Sequence, residues 1–209
     1  MPKRAQLLEA LAGENSIGIL LMLQMDGVPE TLQLVIATAE FDPQVNGLRE
    51  KGNYVVRAIG VREHRVSAGQ FGGVRFATDH PLLYQYNTTP VGLFFRGTPP
   101  DVNALLIDLI QGYTSTFGPW RQIPMFINVA QPLHTLLTGG GDLLGEMPLP
   151  LAENLTKALE KHQLETKIIT GEPPLGADEH GRSQLMQALI LDESYIVALD
   201  FSVELLGKA

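Results

Sequence analysis

The apolar residues of the first hundred positions follow the pattern of a β-sheet. Two runs rich in Leu, Ile and Val, 17–25 and 30–39, are separated by Asp26-Gly27, a dipeptide that favours a tight turn. Residues 53–65 have the composition of a long strand, with Gly60 as a candidate bulge or bend. We therefore predict a hairpin followed by a third strand.

Further strands are predicted wherever short apolar runs lie between turn-forming residues. The same criteria predict strands at 74–78, 82–86, 91–96 and 166–170. A second hairpin is expected near the end of the sequence, formed by 185–191 and 195–205. Strands thus dominate both ends of the chain.

Helical spacing of apolar residues occurs at three places. A short amphipathic helix is expected over 3–12 and another over 151–162. The clearest helix begins after Thr98, a predicted N-cap that is followed by Pro99 at the first helical position. These helices are too few and too irregularly placed for repeated βαβ units. We predict one α+β domain over 1–209, with a largely antiparallel sheet flanked by two or three amphipathic helices.

Composition narrows the class of protein. Hydrophobic residues make up 44% of the chain and charged residues 18%, which supports a folded core. The net charge of −8 argues against general nucleic-acid binding. The absence of cysteine excludes disulfides, iron–sulfur clusters and thiol catalysis. With no predicted leader or membrane span, we expect a soluble cytoplasmic protein.

No familiar catalytic or cofactor-binding motif occurs in the sequence. A phosphate-binding loop, a dinucleotide fingerprint, a nucleophile elbow and a zinc-protease motif are all missing. We therefore predict no cofactor. Catalysis stays open, and we favour a non-catalytic protein.

A basic cluster lies in the predicted strand region. Between positions 57 and 75, Glu63 is the single acidic residue, whereas five residues are basic or titrate near neutrality: Arg57, Arg62, His64, Arg65 and Arg75. A bulge at Gly60 would bring Arg57, Arg62 and His64 to one face, where Arg side chains suit carboxylates or phosphates. The alternative is a solvated strand face or intramolecular ion pairs.

The segment 122–151 is unusually apolar for a region predicted as largely irregular. Its only charged residues are Asp142 and Glu146. We interpret it as a surface for a protein partner, formed by Met125, Phe126, Leu136, Leu137, Leu143, Leu144 and Met147. The alternative is a buried strand and helix with misplaced boundaries.

Two other classes of site have some support. Histidines beside acids occur at Asp79-His80 and at 178–180, and Glu63 precedes His64, but no recognised metal-ligand spacing is present. We therefore predict no metal site. A planar ligand could stack on aromatic residues in the middle of the chain, but such residues more often fill the core of a sheet–helix sandwich, which is the interpretation we favour: Tyr84, Tyr86, Phe94, Phe95 and Trp120.

These patterns favour a non-catalytic binding or assembly protein. We expect a protein partner or homo-oligomer at 122–151, and an anionic group at the basic cluster. The alternatives are a hydrolase or isomerase using His64 or His80 beside an acid, and a carrier of a planar ligand.

Overall fold

The chain combines antiparallel sheets with helices, which confirms the α+β prediction. The structure is a computed structural model and describes residues 3–25, 27–44, 46–128, 130–172 and 185–207. Predicted features at 178–180 lie outside the described residues.

The elements follow one another in this order. The strands are β1 (Ser16–Met25), β2 (Thr31–Asp42), β3 (Gly47–Ile59), β4 (Glu63–Arg65), β5 (Gly69–Phe71), β6 (Val74–Ala77), β7 (Pro90–Arg96), β8 (Gly141–Pro148), β9 (Glu165–Thr170), β10 (Gln187–Leu191), β11 (Ser194–Ala198) and β12 (Asp200–Gly207). The helices are α1 (Lys3–Ala10), α2 (Tyr84–Asn87), α3 (Val102–Phe117), α4 (Leu133–Thr138) and α5 (Leu149–Lys161).

Contacts divide the chain into two compact units. One contains Met1–Asp79 and Leu185–Ala209, and the other contains His80–Gln184. The prediction of one domain over 1–209 stays a prediction, which unfolding of the whole chain can test.

The first unit contains two sheets and a shared core. Its five-stranded sheet has the order β12-β3-β2-β1-β5, and its four-stranded sheet has the order β4-β11-β10-β6. Strand alternation places Leu34 and Val56 opposite each other on the core face of the larger sheet. They pack with Leu7 of α1 and with Leu189 and Ile196 of the smaller sheet. Both predicted hairpins are present, formed by β1 with β2 and by β10 with β11.

The second unit packs helices on one face of a three-stranded sheet of order β8-β7-β9. Alternate residues of β7, among them Leu93 and Phe95, enter a core that includes Leu105 of α3 and Leu155 of α5. The N-cap of α3 is Asp101, not Thr98: the Asp101 carboxylate accepts hydrogen bonds from the next turn, at 2.9 Å from Asn103 N.

Two predicted strands differ from the observed structure. The strand expected over 53–65 ends at Ile59, because Gly60 adopts a φ of +67° and turns the chain away. The strand expected over 82–86 is helical, and the His80 ring accepts a hydrogen bond at its start, 3.3 Å from Leu82 N. Local capping thus overrides the apolar strand pattern there.

The segment 122–151 is more regular than predicted. It contains a single 3₁₀ turn at Ile123–Met125, then α4 and β8, and it ends within α5. Its apolar residues therefore belong mainly to folded elements that need a core. Within the described ranges, no helix is long and apolar enough to cross a membrane.

The prediction of one domain can be tested by urea unfolding. Leu34 is fully buried in the first unit, whereas the single tryptophan, Trp120, lies in the second. We expect Leu34→Ala to lower the free energy of unfolding by about 2–5 kcal/mol, because it leaves a cavity. If the chain unfolds as one domain, Trp120 fluorescence and far-UV circular dichroism will report the same lowered midpoint. An unchanged Trp120 midpoint would contradict the prediction.

Candidate functional site

Strand β1 changes character halfway along its length. From Ser16 to Leu20 its residues alternate between buried and half-buried, but all five that follow are exposed. Leu21, Met22, Leu23 and Met25 retain 58%, 40%, 37% and 74% of their accessible surface. Large apolar side chains on one exposed strand are a feature that folding of this unit does not explain.

A bulge begins the exposed half. The β1–β2 ladder pairs Leu20 with Ile36 and then Met22 with Val35, so that Leu21 is an extra residue in β1. A bulge increases strand twist and re-aims the side chains that follow it. The ladder continues to Met25, so the exposed half remains a strand.

The side of β1 that faces away from β2 is only partly covered. β5 pairs with Gly18, Ile19 and Leu20. Gly18 is required there, because a side-chain methyl group at this position would overlap the ring of Phe71. Beyond Leu20, no strand in the described ranges pairs with this side of β1. We call residues 21–25 the free edge.

The free edge lacks the charges that usually protect strand edges from unwanted pairing. Its sequence is Leu-Met-Leu-Gln-Met. By contrast, each of the other edge strands of four or more residues carries charged side chains, which are Asp200 and Glu204 on β12, Arg75 on β6, Asp142 and Glu146 on β8, and Glu165 and Lys167 on β9. The free edge is therefore apolar and has no charged side chain that would discourage pairing with another strand.

The predicted basic cluster is distributed over two sheets. Arg57 lies on β3 of the larger sheet, where its Nη1 atom is 3.0 Å from a Glu204 carboxylate oxygen. Arg62 Nη1 lies 2.9 Å from a carboxylate oxygen of Glu30. Both guanidinium groups are about half exposed and take part in intramolecular ion pairs, the alternative that the sequence left open.

The other members of the cluster lie on opposite edges of the smaller sheet. His64 and Arg65 belong to β4, whereas Arg75 belongs to β6, and β11 and β10 lie between them. Three strand spacings of about 4.8 Å separate these edges. The predicted face that joins Arg57, Arg62 and His64 does not form, since Gly60 ends β3 instead of producing a bulge within it.

The predicted partner surface at 122–151 is mostly core. Four of its side chains retain no more than 2% of their accessible surface, namely Leu136, Leu137, Leu144 and Met147. Phe126 and Leu143 are half-buried, and Phe126 stacks on Phe117. Only Met125, with 51% exposure, is an exposed member of the set. The same segment contains an apolar groove of about 470 Å³, whose lining includes Ile123, Ile127 and Leu133.

The histidines do not form a recognisable catalytic group within the described ranges. His64 and His134 are exposed, and the His80 ring packs edge-on against Trp120 at 5.2 Å. No group of three His, Asp or Glu side chains there could hold a metal ion. The aromatic residues Tyr84 and Phe117 pack against each other in the second unit, as the core-packing alternative expects.

One histidine–acid pair was missed by the sequence analysis because 54 residues separate its members. His162 Nε2 lies 2.6 Å from Asp108 Oδ2, to which Lys161 donates a hydrogen bond at 2.8 Å. Hydrogen bonding by Lys161 and then by His162 lowers the pKa of Asp108. The pair joins α3 to the end of α5, and we assign it a structural role.

No protein-family model, curated protein or solved structure matched this chain. The candidate site therefore depends on geometry alone, and the free edge is its strongest element.

The fit between β5 and β1 can be tested with Gly18→Ala. Because the added methyl group overlaps the Phe71 ring, we expect the free energy of unfolding to fall by about 1–3 kcal/mol. The control is Gly27→Ala, whose added methyl group has no neighbouring atom within 4 Å. Equal effects of the two substitutions in urea unfolding would contradict the role assigned to Gly18.

The Asp108 interactions predict a pH-dependent stability. A carboxyl group whose pKa is lowered by folding stabilises the fold above its unfolded pKa, and this contribution is lost as pH falls through the folded pKa. We expect Asp108→Asn to lower the melting temperature at pH 7, with a difference from wild type that narrows below about pH 4. The control is Glu153→Gln, which alters an exposed carboxylate of α5. A pH-independent difference for Asp108→Asn would argue against the assignment.

Proposed function

We propose that this chain is a non-catalytic binding or assembly protein whose protein partner adds to the free edge of β1. The observation that carries the proposal is an exposed, uncharged half-strand that pairs with β2 on one side and with no described strand on the other. This replaces the location predicted from sequence, while the class of function is the one expected there.

Strand addition suits both the backbone and the side chains of this edge. An edge strand presents backbone N–H and C=O groups to solvent, and an extended segment of a partner can pair with them. Because these backbone hydrogen bonds replace hydrogen bonds to water, their net contribution to the binding free energy is small. Burial of the apolar side chains supplies the larger contribution. Two of the four exposed side chains are methionines, which adapt readily to different contact surfaces.

The magnitude of the burial sets an expectation for affinity. From their exposed fractions, the four side chains would contribute on the order of 3 to 6 kcal/mol when covered. Loss of translational and rotational freedom costs about 4–15 kcal/mol. Pairing at the edge alone therefore predicts a modest affinity, which neighbouring exposed residues such as Val28 can increase.

An apolar groove in the second unit offers a partner a further surface, which is not a strand edge. Ile123, Ile127 and Leu133 line it, and it lies in the segment 122–151, which the sequence analysis predicted as a partner surface.

We do not extend the proposal to an acidic partner, because Arg57 and Arg62 already pair with Glu204 and Glu30. An enzyme has less support, since His64 is exposed on a strand edge and His80 caps a helical turn.

A photo-crosslinking amino acid at Met25 tests the proposal in the native host. We expect covalent adducts between this chain and a protein, identified by mass spectrometry, because a partner strand would lie directly against this side chain. The matched control places the crosslinker at Ile107, which is 57% exposed on helix α3 of the second unit. Protein adducts at Met25 that do not exceed those at Ile107 would rule out this edge as a binding site.

The cytoplasmic location expected from the sequence forms part of this proposal. Fractionation of the native host, with the chain followed by antibody, will test it independently of binding.

A further inference from the structure

We infer that the partner at the free edge is a second copy of this chain, paired antiparallel through β1 about a two-fold axis at Leu23. The inference rests on the proposed function, since it names the occupant of the same edge. Three features of the edge favour an identical strand: its charge, its length and the distribution of its side chains over the two faces.

Because the free edge carries no charge, like-charge repulsion does not oppose its pairing with a second copy. When a strand pairs antiparallel with its own copy, every side chain lies opposite or diagonal to a side chain of the same short sequence. A charged residue near the axis would then meet a like charge. Residues 21–25 contain none, whereas in a self-paired β12 an axis at Ser202 would place Asp200 opposite Glu204 of the second copy, and an axis at Glu204 would pair that residue with its own copy. A strongly charged partner strand would find no opposite charge on the free edge itself.

The free edge is as long as the segment of the second copy that would pair with it. With the axis at Leu23, Leu21 lies opposite Met25 of the second copy, and Met22 lies opposite Gln24 of the second copy. The next position, Leu20, is already covered by β5. β1 ends at Met25, so the strand of the second copy stops before it would reach β5. A longer straight strand would collide with β5.

In such a dimer, each face of the joined sheet would carry the same side chains in both copies. Leu23 lies opposite Leu34 in the β1–β2 ladder, and Met25 lies opposite Leu32, so both are on the core face of the sheet. Pairing about Leu23 extends this face with the same two residues of the second copy. Met22 and Gln24 lie on the outer face with Val35 and Gln33, where the amide of Gln24 remains accessible to water.

This pairing is closed. A two-fold interface uses the same surface on both copies, so each free edge is covered once and none remains for a third copy. The expected assembly is therefore a dimer in which two five-stranded sheets become continuous, and not an open fibre.

Sedimentation of the purified full-length chain tests the inference directly. We expect a reversible monomer–dimer equilibrium between about 1 and 200 µM, the range in which small interfaces associate. Leu23→Lys places two like charges at the axis and is expected to raise the dimer Kd at least about tenfold. The control is Ile169→Lys, which adds the same charge at an exposed apolar position of edge strand β9 and is expected to leave the Kd unchanged. Circular dichroism verifies that both variants are folded.

Disulfide formation between two copies tests the register of the β1–β1 pairing, and this test does not depend on the lysine variant. The chain contains no cysteine, so a single introduced thiol can only bond to its copy. Under mild oxidation we expect Leu23→Cys to give a covalent dimer faster than Leu21→Cys or Met25→Cys, because only position 23 faces itself across the axis. Ile169→Cys is the control for random collision.

Each outcome separates this inference from the proposed function. A chain that stays monomeric at all concentrations, or a dimer that Leu23→Lys leaves intact, overturns the inference. If Met25 crosslinks to a different protein in the native host at the same time, the proposed function stands with another partner. If neither self-association nor crosslinking above the Ile107 control occurs, both are wrong.

Discussion

The backbone hydrogen-bonding capacity of strand β1 is the constraint on which the functional argument depends. Each strand of a sheet has two sides, and each side must pair with another strand or with water. β2 occupies one side of β1 along its length, and β5 occupies the other side only as far as Leu20. The remainder is solvated backbone flanked by apolar side chains, an arrangement that packing within this unit does not use.

Small local features determine where that edge opens. Gly18 lets the Phe71 ring lie directly on β1, and this contact fixes the short strand β5. The bulge at Leu21 follows immediately and changes the direction of the strand. Together they separate a covered half of β1, which belongs to the core, from an exposed half that does not. The same strand thus contributes to the core along its first half and carries the proposed binding surface along its second half.

The two units use apolar residues differently. In the second unit, most of the described apolar residues of 122–151 help to fill the core around α3 and α5, and Leu136 and Leu144 are fully covered. In the first unit, Leu23 and Met25 extend past the region where the two sheets face each other with buried side chains. An apolar segment therefore indicates a binding surface only when its own fold leaves it uncovered.

The sequence by itself determined the class of fold, both hairpins, and the helices near 102–117 and 149–161, because these depend on local periodicity, turns and caps. It also identified the apolar character of residues 17–25 and of 122–151. Only the tertiary structure decided which of these segments is buried, since burial depends on strand order and on contacts between residues distant in the chain. Leu23 and Leu144 are equally apolar in sequence and both belong to strands that reach a sheet edge, yet Leu23 is exposed and Leu144 is buried in the core with α3 and α5. The dispersal of Arg57, Arg62 and His64 has the same origin, because the turn at Gly60 sends neighbouring residues into different sheets.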